Sequence, residues 1–354
     1  MRKQLYRNLT AELQRRLPTA TKPQARNLAL LTQALVFSEN CHLPNLALQL
    51  PIDSQRDHLI RHLMRFLSNH ELTRYAHYFP LVRDLFADWP DKDVNLVMDR
   101  TDIRQEKSIL LLAVAYKCRA IPLTWRVLPF GGTGADVQVR LLKEIKPYLP
   151  KDKRVIFYGD TEFRAVDVQR YCRQQHWGWQ LGVKSDTLFH TGDGNWQPLR
   201  AFTVERGQRR YLQNITLTQS EAWPKVNLMA DWTHNWESPR YVICHHKATH
   251  TSWRRGRKRF WIEPTFRDWK SYGFDLESSH IDDNHRLDRL LLGMAVATLW
   301  LLHLGNWVRD TGRAHWLTAD HRRDYSLFRL GRDYARRSEI CGWHLPICFK
   351  RPGS

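Results

Sequence analysis

"NLVMDRTDIRQEKSILLLAVAYKCRAIPLTWRVLP", residues 95–129, is where the pattern of the chain changes. Three runs of strand length, "NLVMDRTDI", "SILLLAVAYKCRAI" and "PLTWRVLP", follow one another with links short enough for hairpins. After "GGTGAD" the period lengthens to that of a helix in "VQVRLLKEIKPYL" and shortens again in the strand "KRVIFYGD". A second helix, "RAVDVQRYCRQQH", leads to the strand "WGWQLGVKS". Three early strands followed by alternating helices and strands predict an α/β fold, a mixed sheet flanked by helices.

Outward from this core the chain divides by composition. Residues 1–90 read as helical. Thr21 and Pro23 open one helix with Leu28, Leu31 and Leu35 at helical spacing, and Ser54 with Asp57 resembles a capping pair for another. That second helix places Leu59, Leu63, Phe66 and Leu67 on one stripe and leaves Arg61 and Arg65 largely off it, a basic face suited to DNA or simply to water. Residues 186–250 are turn-rich with short alternating runs, read as a β-rich insertion between core segments 91–185 and 251–310. Residues 311–354 read as a basic tail.

With 55 Lys and Arg against 36 Asp and Glu, the net charge is +19. Such an excess favours a polyanionic partner, nucleic acid or an anionic membrane surface. The fifteen Trp add rings able to stack on bases, although most Trp serve a core. Six scattered cysteines without paired spacing point to a reduced, intracellular protein. "CHHKATH" (Cys244–His250) lacks the second ligand pair a zinc site needs. No secretory signal opens the chain. The longest apolar run, Leu290–Gly305, falls short of the roughly 20 residues that span a bilayer, so a buried core helix and a soluble protein are expected.

Three acids stand out. Asp99 closes the strand "NLVMD" and Asp160 closes "VIFYGD", the strand ends where open α/β sheets place their ligands. Two carboxylates brought together repel unless a cation lies between them, and a hard divalent ion such as Mg²⁺ takes oxygen ligands. The third is Glu263, set among cations and aromatics in "RKRFWIEPTFRDWK", residues 257–270. On a continuous helix Arg259, Glu263 and Lys270 fall within roughly 40° of one another, a stripe that offers a metal ligand between two phosphate-binding cations. A plain Arg–Glu pair at i,i+4 is the structural alternative.

These residues resemble a DDE-class insertion-sequence transposase of the group with a tyrosine, arginine, glutamate, lysine signature. Arg259, Glu263 and Lys270 keep that signature's spacing, and "LVMDRTDI" and "YGDTEF" resemble the surroundings of the first two catalytic aspartates. Asp160 and Glu263 lie 103 residues apart, room for the insertion such enzymes carry. Two positions depart from the pattern: the tyrosine falls on Gly256, and Pro264 stops or starts the helix beside Glu263.

The resemblance implies a ribonuclease-H-like core. It also implies Asp99, Asp160 and Glu263 as catalytic residues and ligands of two Mg²⁺ ions, with Mn²⁺ tolerated. Arg259, Arg267, Lys270, Arg61, Arg65, Trp232 and Trp236 would contact DNA. Substrates would be double-stranded DNA with terminal inverted repeats and target DNA, handled by a homodimer in a prokaryotic cytoplasm. A decayed DNA-binding derivative, a structure-selective nuclease of the same fold and a zinc hydrolase are the alternatives. The helix stripe at Arg61 is expected to bind DNA, and Asp102, Glu162 and Asp268 are expected to stay outside the site.

Overall fold

The computed structural model describes residues 1–192, 194–233, 236–319 and 325–349. The N-terminal region is helical: α1 (Arg2–Arg16), α2 (Lys22–Phe37), α3 (Leu43–Ala47), α4 (Arg56–Leu67), α5 (Arg74–His77) and α6 (Phe79–Ala87). α2 starts as its sequence dictates, in a capping box. Thr21 N–H donates to Gln24 Oε1 at 2.8 Å, the Gln24 N–H returns to Thr21 Oγ1, and Pro23 sits in the first turn. The capping pair expected before α4 is absent. Gln55 precedes that helix without a side-chain cap, and Ser54 lies one residue too early. The α4 stripe itself forms as expected, with Leu59, Leu63, Phe66 and Leu67 buried.

The core follows in the order read from the sequence: β1 (Asp93–Ile103), β2 (Lys107–Tyr116), β3 (Arg119–Pro129), α7 (Ala135–Ile145), β4 (Arg154–Gly159), α8 (Val166–Gln174) and β5 (Gly178–Val183). β1 pairs antiparallel with β2 and parallel with β4. β3 pairs antiparallel with β2, and β5 parallel with β4. The order β3-β2-β1-β4-β5 with those directions is the ribonuclease-H-like sheet. The β2–β3 turn falls at Lys117 and Cys118, both left-handed at φ 46° and 61°, so the second strand ends earlier than its apolar run suggested. Pro122 is tolerated because β3 is an edge strand, and a bulge at Leu112/Ala113 adjusts the register beside it.

The insertion does not stand apart from this sheet. It contributes β6 (Leu188–His190), β7 (Gln197–Pro198), β8 (Arg209–Leu217), β9 (Trp223–Asp231) and β10 (Arg240–Cys244). β10 pairs antiparallel with β5 from Tyr241↔Val183 to Cys244↔Gln180, so ten strands form one sheet. Without β10 the β5 backbone would present unpaired N–H and C=O groups.

Helices α9 (His250–Gly256), α10 (Glu263–Lys270) and α11 (Asn284–Asp310) complete the core, with α12 (Leu327–Cys341) beyond it. α11 is long and apolar enough to cross a bilayer by length and composition, yet 94% of its most apolar window is buried inside the protein. α2, α4 and α12 pack around it. The expected basic tail is therefore partly a core element; its residues 320–324 and 350–354 lie outside the described residues. The arginines of α12 serve packing. Arg332 and Arg336 donate to the Ser38 carbonyl at 2.8 and 2.7 Å, placing cations at the C-terminal end of α2, where the helix dipole favours them. α12 approaches α11 through glycine: a Cβ on Gly331 would lie 2.9 Å from the Leu301 carbonyl carbon and 3.0 Å from Gly305 N. Gly331→Ala should therefore destabilise the protein by about 1–3 kcal/mol through forced separation of the two helices. An unchanged denaturation midpoint would show that α12 is not docked this way.

Candidate active site

The β1–β4 register runs from Asp93↔Arg154 to Val97↔Tyr158. Asp99 and Asp160 each lie two residues past the last pair, on neighbouring strands at the same end of the sheet. Gly159 makes the local geometry possible, because a Cβ there would sit 2.7 Å from Phe163 Cβ. The chain can thus fold into a short 3-10 turn (Thr161–Phe163) directly after the strand, with Asp160 capping it by accepting the Glu162 N–H at 2.8 Å. The Asp99 carboxylate accepts the Arg100 N–H at 2.8 Å.

Glu263 arrives from the other side of the chain. A 3-10 segment (Arg257–Ile262) runs against β1, β2, β3 and β4 and passes into α10 at Glu263, with Pro264 in the first turn, where its missing N–H costs nothing. α10 is pinned on two sides. Thr265 Oγ1 donates to the Ala120 carbonyl at 2.8 Å on the open edge of β3, and the buried Trp269 donates to Thr298 on α11 at 2.9 Å. Glu263 is exposed at the head of this helix. Arg259 is not on α10, so the continuous stripe drawn from the sequence is broken at the proline, and its guanidinium rests over the Phe260 ring at 4.2 Å.

Electrostatics joins these groups. Burial pushes the Asp99 carboxyl up to about 6, and the negative charges of Asp160 and Glu263 push in the same direction. The Arg100 N–H and the Arg259 guanidinium oppose the rise. The three sequence-selected acids and Arg259 therefore share one field. Among the described residues, no three His, Cys, Asp or Glu side chains already stand together as a closed metal nest.

The neighbouring acids are occupied elsewhere. Arg100 pairs with Asp102 at 2.5 Å and with Glu162 at 3.1 Å. Asp102 also accepts from Ser108 Oγ at 2.6 Å, and Glu162 from Thr133 N and Oγ1 at 2.9 and 2.7 Å. Asp268 is buried, its carboxyl pushed up to about 6, with Arg119 3.8 Å away. Lys270 is also committed: it donates to the Asp102 carbonyl at 2.6 Å and pairs with Glu277 at 3.1 Å. Its ammonium fastens α10 to the end of β1, a role its spacing did not reveal. Arg267 is exposed on α10, and Arg61 and Arg65 are exposed on α4 with no ion pair to a described residue.

A cleft of about 1470 Å³ opens beside Asp160, between the insertion and the 3-10 segment. Arg259 and Trp236 line it, as do three residues the sequence did not single out as site residues: Arg240, Gln180 and Trp253. Arg240 stacks on Trp236 at 3.9 Å. Burial, then the nearby Arg259, holds its guanidinium below the usual range, while Glu263 acts the other way. Trp232 points its N–H at the Trp236 carbonyl, 2.8 Å away, and packs against the core under Arg206. Of the two tryptophans expected to contact DNA, Trp236 lines the cleft and Trp232 does not. The imagined zinc segment is structural: Cys244 ends β10, its thiol pushed up to about 12 by burial, and bonds the His246 carbonyl at 3.1 Å.

Residues 133–300 match the family described as "Transposase DDE domain", a span that holds Asp160 and Glu263 and begins after Asp99. Among solved structures, the cryo-EM structure of the piggyBac transposase synaptic complex with hairpin DNA is similar at a TM-score of 0.46 and 9% identity, covering 96% of this chain and 78% of that one. No curated protein matches the sequence. The matched segment, Thr133 to Trp300, covers 168 of the 354 residues and is what this chain shares with transposase DDE domains.

Proposed function

We propose that this chain is a divalent-metal-dependent DNA transposase that cuts the ends of an insertion sequence and joins them to target DNA. What supports this reading is that the charges of Asp160 and Glu263 both act on the Asp99 carboxyl, that Asp160 lines a cationic, aromatic cleft, and that Asp160 and Glu263 lie in the segment matching a transposase DDE domain. The donor set suits a hard cation: oxygen ligands only, like-charged, one of them costly to ionise without a counter-charge. Asp99, Asp160 and Glu263 would hold two Mg²⁺ ions, or Mn²⁺ in their place. When bound, these would neutralise phosphodiester charge and activate water or a DNA 3′-hydroxyl for in-line displacement.

The chain's own groups do the positioning. Arg259 and Arg240 meet the phosphate backbone in the cleft, Trp236 offers a flat face to a base, and Arg267 extends the basic surface. On α4, Arg61 and Arg65 would grip duplex DNA outside the cleft. The partners in this reading are terminal inverted repeats and target DNA, engaged by a homodimer in the cytoplasm of a prokaryotic cell. The signature-bearing subgroup is supported by Arg259 and Glu263 sharing one electrostatic site, whereas Lys270 serves the fold.

Glu263→Gln keeps volume and removes one negative charge. Mg²⁺-dependent nicking of supercoiled DNA should fall by at least about a hundredfold, while gel-shift affinity for DNA holds or tightens. Nicking at the wild-type rate would reduce Glu263 to half of an ordinary ion pair. Arg61→Ala with Arg65→Ala should weaken DNA binding and flatten its salt dependence by about one to two counterions; an identical salt slope would leave α4 as a plain bundle helix.

Asp99 gives a test that needs no DNA. Its folded carboxyl titrates at about 6, above the unfolded value near 4, so the folded state holds a proton the unfolded chain has lost. Stability from this group is full below about pH 4 and falls as pH rises through 6. In metal-free buffer Asp99→Asn should melt above wild type at pH 8, and the gap should close by pH 4. Mg²⁺ should raise the wild-type melting temperature at pH 8 and leave the variant little changed. A gap that is flat across pH would remove Asp99 from the shared field.

A further inference from the structure

The β1–β4 ladder stops at Val97↔Tyr158, so it brings Asp99 and Asp160 to the same end of the sheet without fixing either carboxylate. Past that point each carboxylate hangs from a backbone N–H in its own segment. Asp99 Oδ1 accepts the Arg100 N–H and Asp160 Oδ1 accepts the Glu162 N–H, both at 2.8 Å. The side chains of those two donor residues are then joined: Arg100 Nε donates to Glu162 Oε2 at 3.1 Å. Asp99, Arg100, Glu162 and Asp160 thus close a ring across the gap between the strands. Arg100 is its fixed end, because β1 stays paired with β2 there, at Arg100↔Leu110. The 3-10 turn that carries Glu162 lies beyond the end of β4, and the ion pair ties it back. The other Glu162 oxygen is held as well. Oε1 accepts from Thr133 N and Oγ1 at 2.9 and 2.7 Å, and Gln138, 1% exposed, donates to Thr133 Oγ1 at 2.8 Å.

An ion pair with 22% and 21% of its two side chains open to solvent does little for the stability of the fold. Its place does more. A carboxylate that ligates a hard cation is oriented by the partners it keeps away from the metal, and losing such a partner typically weakens metal binding or activity by about 10–100-fold. Here the hangers of both aspartates end on one bond. We propose that Arg100 and Glu162 are positioning residues that set how the Asp99 and Asp160 carboxylates face each other, acting through those two side chains. Arg100 also pairs with Asp102 at 2.5 Å, yet the Asp102 carboxylate lies outside the ring and supplies an internal control. The inference rests on the metal-dependent reading above and adds to it the bond that sets the geometry of the donors.

Mn²⁺ affinity of the full chain, read without DNA from the electron paramagnetic resonance signal of the free ion, tests this. Glu162→Gln keeps an acceptor for Thr133 and removes the charge facing Arg100; its dissociation constant should rise about tenfold. Asp102→Asn takes the same charge from the same arginine outside the ring and should bind Mn²⁺ within about twofold of wild type. Thr133→Val, which keeps volume and removes one donor to the other Glu162 oxygen, should fall between the two. All three should melt close to wild type in metal-free buffer. Wild-type affinity in Glu162→Gln overturns the proposal, and so does equal weakening by Glu162→Gln and Asp102→Asn, which would reduce the effect to bulk charge. If Glu162→Gln melts far below wild type, Thr133→Val decides, and wild-type affinity in that variant overturns the positioning role. Asp99→Asn binding Mn²⁺ as tightly as wild type would instead overturn the metal-dependent reading itself.

Discussion

Parallel pairing of β1 with β4 is the constraint on which the site depends. Five register pairs between them bring Asp99, inside β1, and Asp160, just past β4, to the same end of their pairing. The sheet cannot relax the resulting repulsion, because both strands are held on their far sides as well, β1 by β2 and β4 by β5. The repulsion is expressed in the side chain least able to reach water, and burial leads the rise at Asp99. Everything else near the site manages charge. Arg100 absorbs the two nearest surplus acids, Lys270 binds a backbone carbonyl, and Arg259 is left to face the carboxylates.

How much of this could be read in the sequence follows from how local each determinant is. The core strands are buried on both faces, so their apolar runs are continuous and unmistakable, and the acids that end them are visible as interruptions. Glu263 stood out because it is set among cations and aromatics, with Asp268 the only other acid in that stretch. The β2–β3 turn was not legible, since Lys117 and Cys118 carry none of the Gly or Asn chemistry that left-handed turn residues advertise. α12 hid because its buried Leu327, Phe328, Leu330 and Tyr334 alternate with arginines whose partners sit some three hundred residues earlier.

The roles of Lys270, Arg240 and Gln180 depend wholly on distant chain. Lys270 keeps the signature spacing, yet its ammonium is bound to the Asp102 carbonyl and Glu277. Arg240 becomes a cleft cation only because β10 adds to β5, and the Gln180 carboxamide has its place in the cleft because residue 256 is glycine, whose Cβ would collide with it. Spacing along one segment identifies a helix face. It does not say what stands opposite that face.

The seam between β5 and β10 has a consequence for how such a chain can vary. Insertions usually hang from loops and can be trimmed or exchanged, but this one supplies the hydrogen-bonding partner of a core strand. Cutting it back to a short linker would strip four register pairs from β5 and expose a flat, apolar strand to other copies of the chain. The outer strands β6 and β7, farthest from the carboxylates along the sheet, are where added or lost sequence would disturb the core least. The inner strands form one lattice with the core, so the separation between Arg240 at the start of β10 and the end of β4 follows the pitch of the sheet.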